Sequence, residues 1–209
     1  MASKNFKVGD IIFKDTSVAS MNIADDARLP SAKCRDIYTQ ISTLSEADQK
    51  DFFELSRSAE MDDILSVPIF GSIPEKHKRA CSIFNNNSIE SSDGEGHLFL
   101  KISMINHSCD PNTLWDSPDF DGKKIELRSV KTIKVGEEVT SCYLDPYIAI
   151  LGDRKEKKLK LENWNFQCKC DICLQPENDQ IKKLRDEWNE IKLKKKRMPN
   201  AMKKLKEQD

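Results

Sequence analysis

Cysteines in two distant segments of this chain have the type and spacing that bind a metal ion. One segment reads Asn106-His107-Ser108-Cys109-Asp110-Pro111-Asn112, and the other carries a C-x-C-x2-C run that ends at Cys173. Structural zinc sites take four ligands tetrahedrally, and four thiolates are a common set. The run supplies three of them, and spacing does not choose the fourth among Cys34, Cys81, Cys109 and Cys142. A disulfide pair or a coincidental cysteine cluster is the alternative.

The two motifs, in this order, resemble those of the SET domain family of protein-lysine methyltransferases, in particular its SET and MYND domain branch without the MYND finger. In that family Asn-His-Ser-Cys-x-Pro-Asn is a signature, and C-x-C-x2-C marks a post-SET segment. The resemblance implies an α+β fold, mainly β with a helical insert: a SET-domain β-clip fold with a pseudoknot, a zinc-bound post-SET segment and a C-terminal helix. It also implies that Zn²⁺ is held by Cys109, Cys168, Cys170 and Cys173.

The segment Gly136–Leu144 resembles the part of the family that ends in the active-site tyrosine, which makes Tyr143 the candidate catalytic residue. A tyrosine hydroxyl can orient a lysine amine for displacement, and a dry aromatic channel favours the uncharged amine. The alternative for Tyr143 is a strand aromatic that packs in the core. The resemblance implies that S-adenosyl-L-methionine is the cofactor and that it contacts Asn87, Ser103, Met104, Ile105, Asn106, His107, Tyr143, Trp164 and Phe166.

Two of these cofactor assignments need further comment. Asn87 is matched to a family asparagine that reaches the cofactor, and Asn86 is the alternative if the match is shifted by one residue. Trp164 and Phe166 match family positions that close over the cofactor and wall the lysine channel. Zinc would act on catalysis indirectly, by folding the segment that carries these two aromatic residues.

Composition limits the compartment and the partners. The 209 residues include 34 basic and 35 acidic side chains, so no global positive charge would drive nonspecific nucleic-acid binding. The seven cysteines are an odd number, and the N-terminus lacks the apolar core of a secretory signal. No apolar run reaches the length of a membrane span. We therefore expect a nuclear or cytoplasmic protein that binds no membrane and no nucleic acid beyond a basic tail. The resemblance implies a protein substrate with a target lysine, such as a histone tail.

The apolar pattern predicts the elements that must position these residues. A helical pattern runs from Ser31 to about Ser56, with a break before a capping sequence at Ser45. The polar tract from Asn85 to Gly96 predicts a hairpin or loop. Short strands are predicted at Ile11–Phe13, Ile125–Val130 and Val139–Leu144.

The C-terminal part predicts helices. The lysine- and glutamate-rich segment from Arg154 to Glu162 predicts an exposed helix. Further on, apolar residues at helical spacing predict an amphipathic helix whose apolar stripe covers the domain: Ile181, Leu184, Trp188 and Ile191. The basic run Lys194–Arg197 is a nuclear localisation signal, a nucleic-acid-binding patch or only a solvated tail. The expected organisation is a SET domain over 1–150 with the helical insert at about 25–80, a post-SET zinc segment over 151–178, and the helix and basic tail over 179–209.

The chain departs from the family pattern in ways that affect function. The family's Gly-x-Gly strand would precede Ala2, so Met1 stands about where that motif should end. Losing it would weaken or abolish cofactor binding, unless the chain is a fragment or has a mispredicted start. The sequence also shows neither the zinc-binding cysteine and histidine array of the MYND finger nor the helical-repeat domain that often follows in this family. Two functions follow: a methyltransferase, or a catalytically inactive or truncated SET-fold scaffold for protein interaction.

Overall fold

The computed structural model describes residues 1–22, 30–91, 94–118, 122–164, 166–175 and 178–191. Within these residues, eight short strands form three small sheets, two antiparallel and one parallel. The antiparallel sheets have the strand orders β1-β7-β6 and β2-β4-β3, and the parallel sheet pairs β5 with β8. The strands are β1 (Ile11–Thr16), β2 (Ala19–Asn22), β3 (Ile89–Glu90), β4 (Glu95–Leu98), β5 (Asn106–His107), β6 (Thr113–Asp116), β7 (Lys124–Ser129) and β8 (Thr140–Ser141).

Helices occupy more of the described residues than strands do, because the region between β2 and β3 is mostly helical. The α+β class is confirmed, and the SET-domain fold with it, but strands are not its larger part. The helices are α1 (Pro30–Ser42), α2 (Glu46–Glu54), α3 (Ala59–Ser66), α4 (Glu75–Asn87), α5 (Leu100–Ser103), α6 (Pro146–Leu151), α7 (Arg154–Leu161), α8 (Asp171–Leu174) and α9 (179–191). Single 3-10 turns lie at Pro68–Phe70 and Glu162–Trp164. None of these helices combines the length and the apolar character needed to cross a membrane.

The helical insert follows the predicted pattern at its start. In α1 the buried residues are Cys34, Ile37 and Ile41, which share one face as expected. Ser45 caps α2, since its Oγ accepts the N–H of Asp48 at 3.1 Å. The insert packs around one apolar core with the sheet residues Ala19 and Leu98, and its largest buried side chains are Ile37, Ile41, Phe52, Ile83 and Phe84.

The prediction of a hairpin or loop from Asn85 to Gly96 was wrong for its first three residues. Asn85, Asn86 and Asn87 form the last turn of α4. The helix continues because Ile83 and Phe84 anchor that turn in the core, and the Asn87 amide donates back to the Ile83 carbonyl at 2.7 Å. The antiparallel β3–β4 pair begins only at Ile89.

A second apolar core lies under the sheet β1-β7-β6. In β7 the side chains of Ile125 and Leu127 are buried, as the alternating pattern predicts. They pack with Phe6, Phe99 and Ile133. The strand predicted over Val139–Leu144 is shorter than expected, because only Thr140 and Ser141 pair with a neighbouring strand.

A buried carboxylate on β1 fixes the helix that leads into the signature segment. One oxygen of Asp15 accepts the N–H groups of Lys101 and Ile102 at 2.8 and 3.1 Å, at the start of α5. Burial raises the pKa of the Asp15 carboxyl above its ordinary value, against the opposing effect of backbone N–H groups that include those of Ile102 and Lys101. Asp15 thereby holds the position from which α5 runs towards β5.

We expect Asp15→Ala to lower the free energy of unfolding by about 1–3 kcal/mol, since it removes the buried acceptor of two N–H groups. Asp15→Asn keeps an acceptor and removes the buried charge, so it should cost clearly less. Because the folded state has the higher pKa, ionisation of Asp15 lowers stability as pH rises through that pKa, and the asparagine variant escapes this loss. Urea unfolding at neutral pH measures both, with Asp10→Ala in an exposed turn as the control. Equal losses in the alanine and asparagine variants would contradict the assignment.

The C-terminal helices differ from expectation in what they bury. Most of α7 is exposed as predicted, but Lys157 and Leu161 are buried. The apolar stripe of α9 does not cover the domain as predicted: Leu184, Trp188 and Ile191 remain 39–46% exposed. Among the described residues, α9 approaches the domain at Ile181, which lines a cavity, and at Arg185, whose side chain donates to the Leu151 carbonyl. The basic run Lys194–Arg197 lies outside the described residues, and the domain boundaries stay a prediction.

Candidate functional site

Two segments that are far apart in sequence meet in the parallel pair β5–β8. Asn106 lies opposite Thr140, and His107 lies opposite Ser141. The N–H of Ser108 extends the pairing by donating to the Ser141 carbonyl at 2.9 Å. The signature motif and the Gly136–Leu144 segment therefore run side by side.

Asn112, the last residue of the signature, fastens the two segments together. Its Oδ1 accepts the N–H of Thr140 at 2.9 Å, and its Nδ2 donates to the carbonyl of Glu138 at 2.8 Å. The Thr113 hydroxyl donates to the Thr140 carbonyl at 2.7 Å. These bonds fix the chain on either side of Thr140, and so they fix the direction in which Tyr143 leaves β8.

Tyr143 is anchored at both its hydroxyl and its backbone. The hydroxyl donates to the carbonyl of Ile105 at 2.6 Å, and the backbone N–H donates to His107 Nδ1 at 3.0 Å. The Tyr143 ring centroid lies 5.2 Å from that of His107, 5.3 Å from that of Trp164 and 6.3 Å from that of Phe166. Burial raises the pKa of the phenol above its ordinary value, so the hydroxyl keeps its proton at neutral pH.

His107 connects this tyrosine to the cysteine cluster. Burial, and then the nearby charge of Lys157, lowers the pKa of His107 to about 4, so its ring is neutral at physiological pH. Since Nδ1 accepts from Tyr143, the remaining proton is assigned to Nε2, which lies 3.3 Å from Cys109 Sγ. The ring therefore donates to a cysteine sulfur while it holds the Tyr143 backbone.

A cavity of about 570 Å³ opens beside these residues. Five of the predicted site residues line it: Asn106, His107, Tyr143, Trp164 and Phe166. The Asn106 amide donates to the Glu138 carboxylate at 2.7 Å, which sets its orientation in the wall. The lining also includes the polar side chains of Thr140, Gln167 and Asp171.

A second cavity of about 270 Å³ lies against the same tyrosine and tryptophan. Asn87 and Ser103 line this cavity, not the first one. The Asn87 amide nitrogen donates to the carbonyls of Ser56 and Ile83 at 2.8 and 2.7 Å. Asn86 lines the same cavity, so the structure does not separate the two alternatives.

Two predicted residues lie in neither cavity wall. Met104 is half exposed, and the Ile105 side chain packs against the second core while its carbonyl holds Tyr143. The structure thus brings seven of the nine predicted cofactor-contact residues, including Tyr143, to the two cavities, and the carbonyl of an eighth, Ile105, accepts the Tyr143 hydroxyl. The cofactor contact of each remains a prediction.

The predicted metal ligands form one cluster. One sulfur from each of Cys109, Cys168, Cys170 and Cys173 lies within 4.8 Å of the others. Cys109 Sγ lies 3.9 Å from Cys168 Sγ and 3.6 Å from Cys173 Sγ. Four thiolates about 2.3 Å from one zinc ion would be about 3.8 Å apart. The four cysteines therefore have the donor type and the spacing that fit zinc.

The other three cysteines are placed where they do not complete this cluster. Cys34 and Cys81 lie in a separate apolar core between α1 and α4, where their side chains hydrogen bond to each other. Cys142 borders the four cysteines, but its thiol donates to the Leu144 carbonyl at 3.4 Å. The fold thus selects Cys109 as the fourth member, which the spacing could not do.

Hydrogen bonds favour the thiolate form of one thiol in the cluster. Burial works against the charged form of Cys170, but hydrogen bonds from the backbone of Cys173 and Cys109 and from the side chains of Cys168 and Cys173 outweigh it, and the pKa of Cys170 is lowered to about 7. Burial instead raises the pKa of Cys109 and Cys173 above the ordinary value. A metal ligand must be deprotonated before it binds, so the Cys170 thiol is prepared for coordination.

Sequence reasoning missed two residues that shape the site. Glu138 orients Asn106, and Asn112 joins the paired segments. Both residues lie inside the two motifs, so the sequence indicated that they are near the site. Their roles could not be predicted, because they depend on the β5–β8 pairing. Lys157 was missed as well, because nothing in its lysine-rich run distinguishes it from exposed neighbours.

Comparison with known proteins agrees with this geometry. The SET domain family model matches residues 1–144. The chain is 34% identical over 126 residues to the histone-lysine N-methyltransferase SMYD3 of Homo sapiens, which is 59% of this chain and 28% of that protein. It is 30% identical over 165 residues to SMYD3 of Mus musculus, covering 75% and 37% of the two chains. It is 26% identical over 188 residues to the histone-lysine N-methyltransferase set5 of Schizosaccharomyces pombe, covering 89% and 50%.

The matches differ in how much of each protein they include. This chain spans half or less of the length of these three relatives. The family model, by contrast, covers well over half of this chain and includes β5, β8 and Tyr143 itself. The chain therefore belongs to the SET domain family.

Proposed function

We propose that this chain is an S-adenosyl-L-methionine-dependent protein-lysine N-methyltransferase. The observation that carries the proposal is the place of Tyr143, which stands in the wall of two cavities with its hydroxyl and its backbone both anchored. A methyltransferase needs two such spaces, one for the methyl donor and one for the lysine, that meet at a single group. Membership of the SET domain family supports the same activity.

The larger cavity suits the cofactor in size and in chemistry. Small-molecule sites range from roughly 300 to 1,000 Å³, and this cavity of about 570 Å³ falls within that range. The Asn106 side chain, the His107 backbone and the rings of Tyr143 and Phe166 would hold the cofactor. When bound, S-adenosyl-L-methionine supplies a methyl group on a sulfonium that is already a good leaving group.

The protein's own task is then to position an uncharged amine and to exclude water. The Tyr143 hydroxyl donates its proton to the Ile105 carbonyl. Its oxygen can therefore accept a hydrogen bond from the lysine N–H and orient the nitrogen while the lone pair stays free. Trp164 and Phe166 pack around Tyr143 and make its surroundings apolar. Such surroundings disfavour the ammonium form and leave the amine lone pair available.

The substrate class follows from the same proposal. The three relatives above are named histone-lysine N-methyltransferases, and we propose a protein substrate with a histone tail as the first candidate. Methylation of a histone would require the protein in the nucleus, whereas a non-histone substrate is compatible with the cytoplasm.

Zinc completes the proposal as a structural ion. The cluster of Cys109, Cys168, Cys170 and Cys173 would bind one Zn²⁺ and hold the segment after the 3-10 turn that contains Trp164. Phe166 lies only two residues before Cys168, so the metal would fix this part of the cavity wall. Metal-binding free energy then acts as folding free energy for the site.

Calorimetric titration with S-adenosyl-L-methionine, followed by transfer of a labelled methyl group to histone octamers, tests the function. We expect saturable binding at one site, weakened in Asn106→Ala and unchanged in Asn189→Ala on α9. Methylated lysine should then be found by mass spectrometry. A folded, zinc-containing protein that binds no cofactor would instead support an inactive SET-fold scaffold.

A further inference from the structure

Lys157 is a buried cation without a counter-charge in the described structure. Its side chain is almost wholly buried, whereas Lys155, Lys158 and Lys160 on the same helix are exposed. Among the described residues it makes no ion pair and donates no hydrogen bond. Burial of an ammonium is costly unless it is paired, so this position calls for a negative partner.

The helix places Lys157 at the cysteine cluster. Leu161, one turn further along the same face of α7, is buried in the apolar core that contains Cys109. Lys157 lines two cavities that both reach Cys173, one of about 320 Å³ that also borders Cys109 and one of about 220 Å³ that also borders Cys168. Three of the four clustered cysteines therefore face the spaces that Lys157 lines.

Four thiolates around one Zn²⁺ carry two excess negative charges, and the cluster is partly buried. Arg154 lines both cavities as well, but it is exposed and its guanidinium donates to the Gln175 carbonyl. Asp110 lines one of the cavities and pairs with Lys131 at 2.6 Å. Among the described residues, Lys157 is thus the buried cation that shares these cavities with the clustered cysteines.

We propose that the ammonium of Lys157 is the counter-charge of the four-cysteine metal centre and increases its affinity for Zn²⁺. The inference rests on the proposed occupancy of that centre by zinc. Without metal, Lys157 is an unpaired buried charge that destabilises the fold. With metal, the same charge is compensated. Lys157 would therefore make folding of the segment around Cys168 more dependent on zinc.

The test compares Lys157→Met with Lys155→Met, an exposed lysine of the same helix, and with Lys157→Arg, which keeps the charge. Zinc affinity is measured on the full chain by competition with a chromophoric chelator. Lys157→Met should bind zinc about 10–100-fold more weakly, as is typical when an outer partner of a metal site is lost. Lys157→Arg should retain most of the affinity, and Lys155→Met all of it.

Thermal unfolding with and without zinc gives a second readout that a purely structural lysine would not produce. The metal-free Lys157→Met protein should unfold at a temperature equal to or above that of the metal-free wild type, because an unpaired buried cation is gone. Its zinc-bound form should unfold at a lower temperature than the zinc-bound wild type. If Lys157→Met does not fold, Lys157→Gln replaces it in both measurements.

The outcomes separate this inference from the proposed zinc site. A wild-type chain that takes up no zinc would overturn the metal centre and the inference together. A wild-type chain that binds zinc, with unchanged affinity in Lys157→Met, would overturn the inference alone. Equal losses in Lys157→Met and Lys155→Met would also overturn it, since they would indicate a general effect of surface charge.

Discussion

Replacing Tyr143 by phenylalanine should lower the turnover number for lysine methylation by roughly 10²–10³-fold, the size of effect that follows from loss of one preorganised hydrogen-bonding group. The substitution keeps the ring, its contacts with Trp164 and Phe166, and the backbone bond to His107 Nδ1. It removes only the hydroxyl that donates to the Ile105 carbonyl. Cofactor affinity, measured by calorimetry, should therefore change only a few-fold.

The division between turnover and binding is the informative part of this result. A tyrosine that merely packs in the wall would, on losing its hydroxyl, alter stability or cofactor affinity and leave turnover nearly intact. Tyr38→Phe is the matched control, because Tyr38 is a half-buried tyrosine that stacks on His77 in the helical insert, away from both cavities. Unchanged turnover in Tyr143→Phe, with the product confirmed by mass spectrometry, would remove Tyr143 from its proposed role.

The burial of Tyr143 also predicts how the methylation rate of the wild type and of Tyr143→Phe depends on pH. Since burial raises the pKa of the phenol, ionisation of Tyr143 should not limit the rate near neutral pH. The increase of rate with pH should instead follow deprotonation of the substrate amine. It should therefore persist, at a lower level, in Tyr143→Phe.

Local sequence patterns were sufficient for the elements whose partners lie close in the chain. The buried face of α1 and the cap at Ser45 were predictable because helical period and capping chemistry act within a few residues. The end of α4 was not predictable, since Asn85–Asn87 favour turns by themselves and are held in the helix by the core beneath Phe84.

The candidate site was predictable in composition but not in arrangement. The resemblance named Asn106, His107 and Tyr143, yet the parallel pairing that joins them depends on long-range contacts with no local signal. Spacing likewise left four cysteines as candidates for the last metal ligand. Burial of Cys34 with Cys81 in the helical core removed two of them.

Charge and exposure were the least predictable properties. The lysine-rich run of α7 reads as a solvated face, and for most of its residues it is one. Lys157 is the exception, because it lies one helical turn from Leu161 on the same face of α7, and Leu161 is buried in the core. In α9 the opposite holds: the apolar stripe is evident in the sequence, but the described part of the domain offers no surface that buries it.

Replacing Cys170 by serine should abolish tight zinc binding, with an affinity loss above the roughly 10–100-fold that follows from loss of an outer partner. Serine keeps the size of the side chain but not the thiolate, which is the metal-binding form. Cys142→Ser is the matched control for metal content, since its thiol lies against the same cluster but donates to the Leu144 carbonyl. Plasma emission spectrometry should find about one zinc per chain in the control and far less in Cys170→Ser.

The consequence should reach the cofactor cavity, because the residues that the metal would order also form its wall. Phe166, Gln167 and Cys168 all line the larger cavity, and His107 contacts Cys109 with one nitrogen and Tyr143 with the other. Without zinc this wall loses its support, so Cys170→Ser should bind S-adenosyl-L-methionine at least about tenfold more weakly. Hydrogen exchange should show loss of protection around 166–175, while α1 and α4 stay protected. Full cofactor affinity in a zinc-free protein would show that the cluster and the cavity are independent, and zinc would then support only the fold of the segment that binds it.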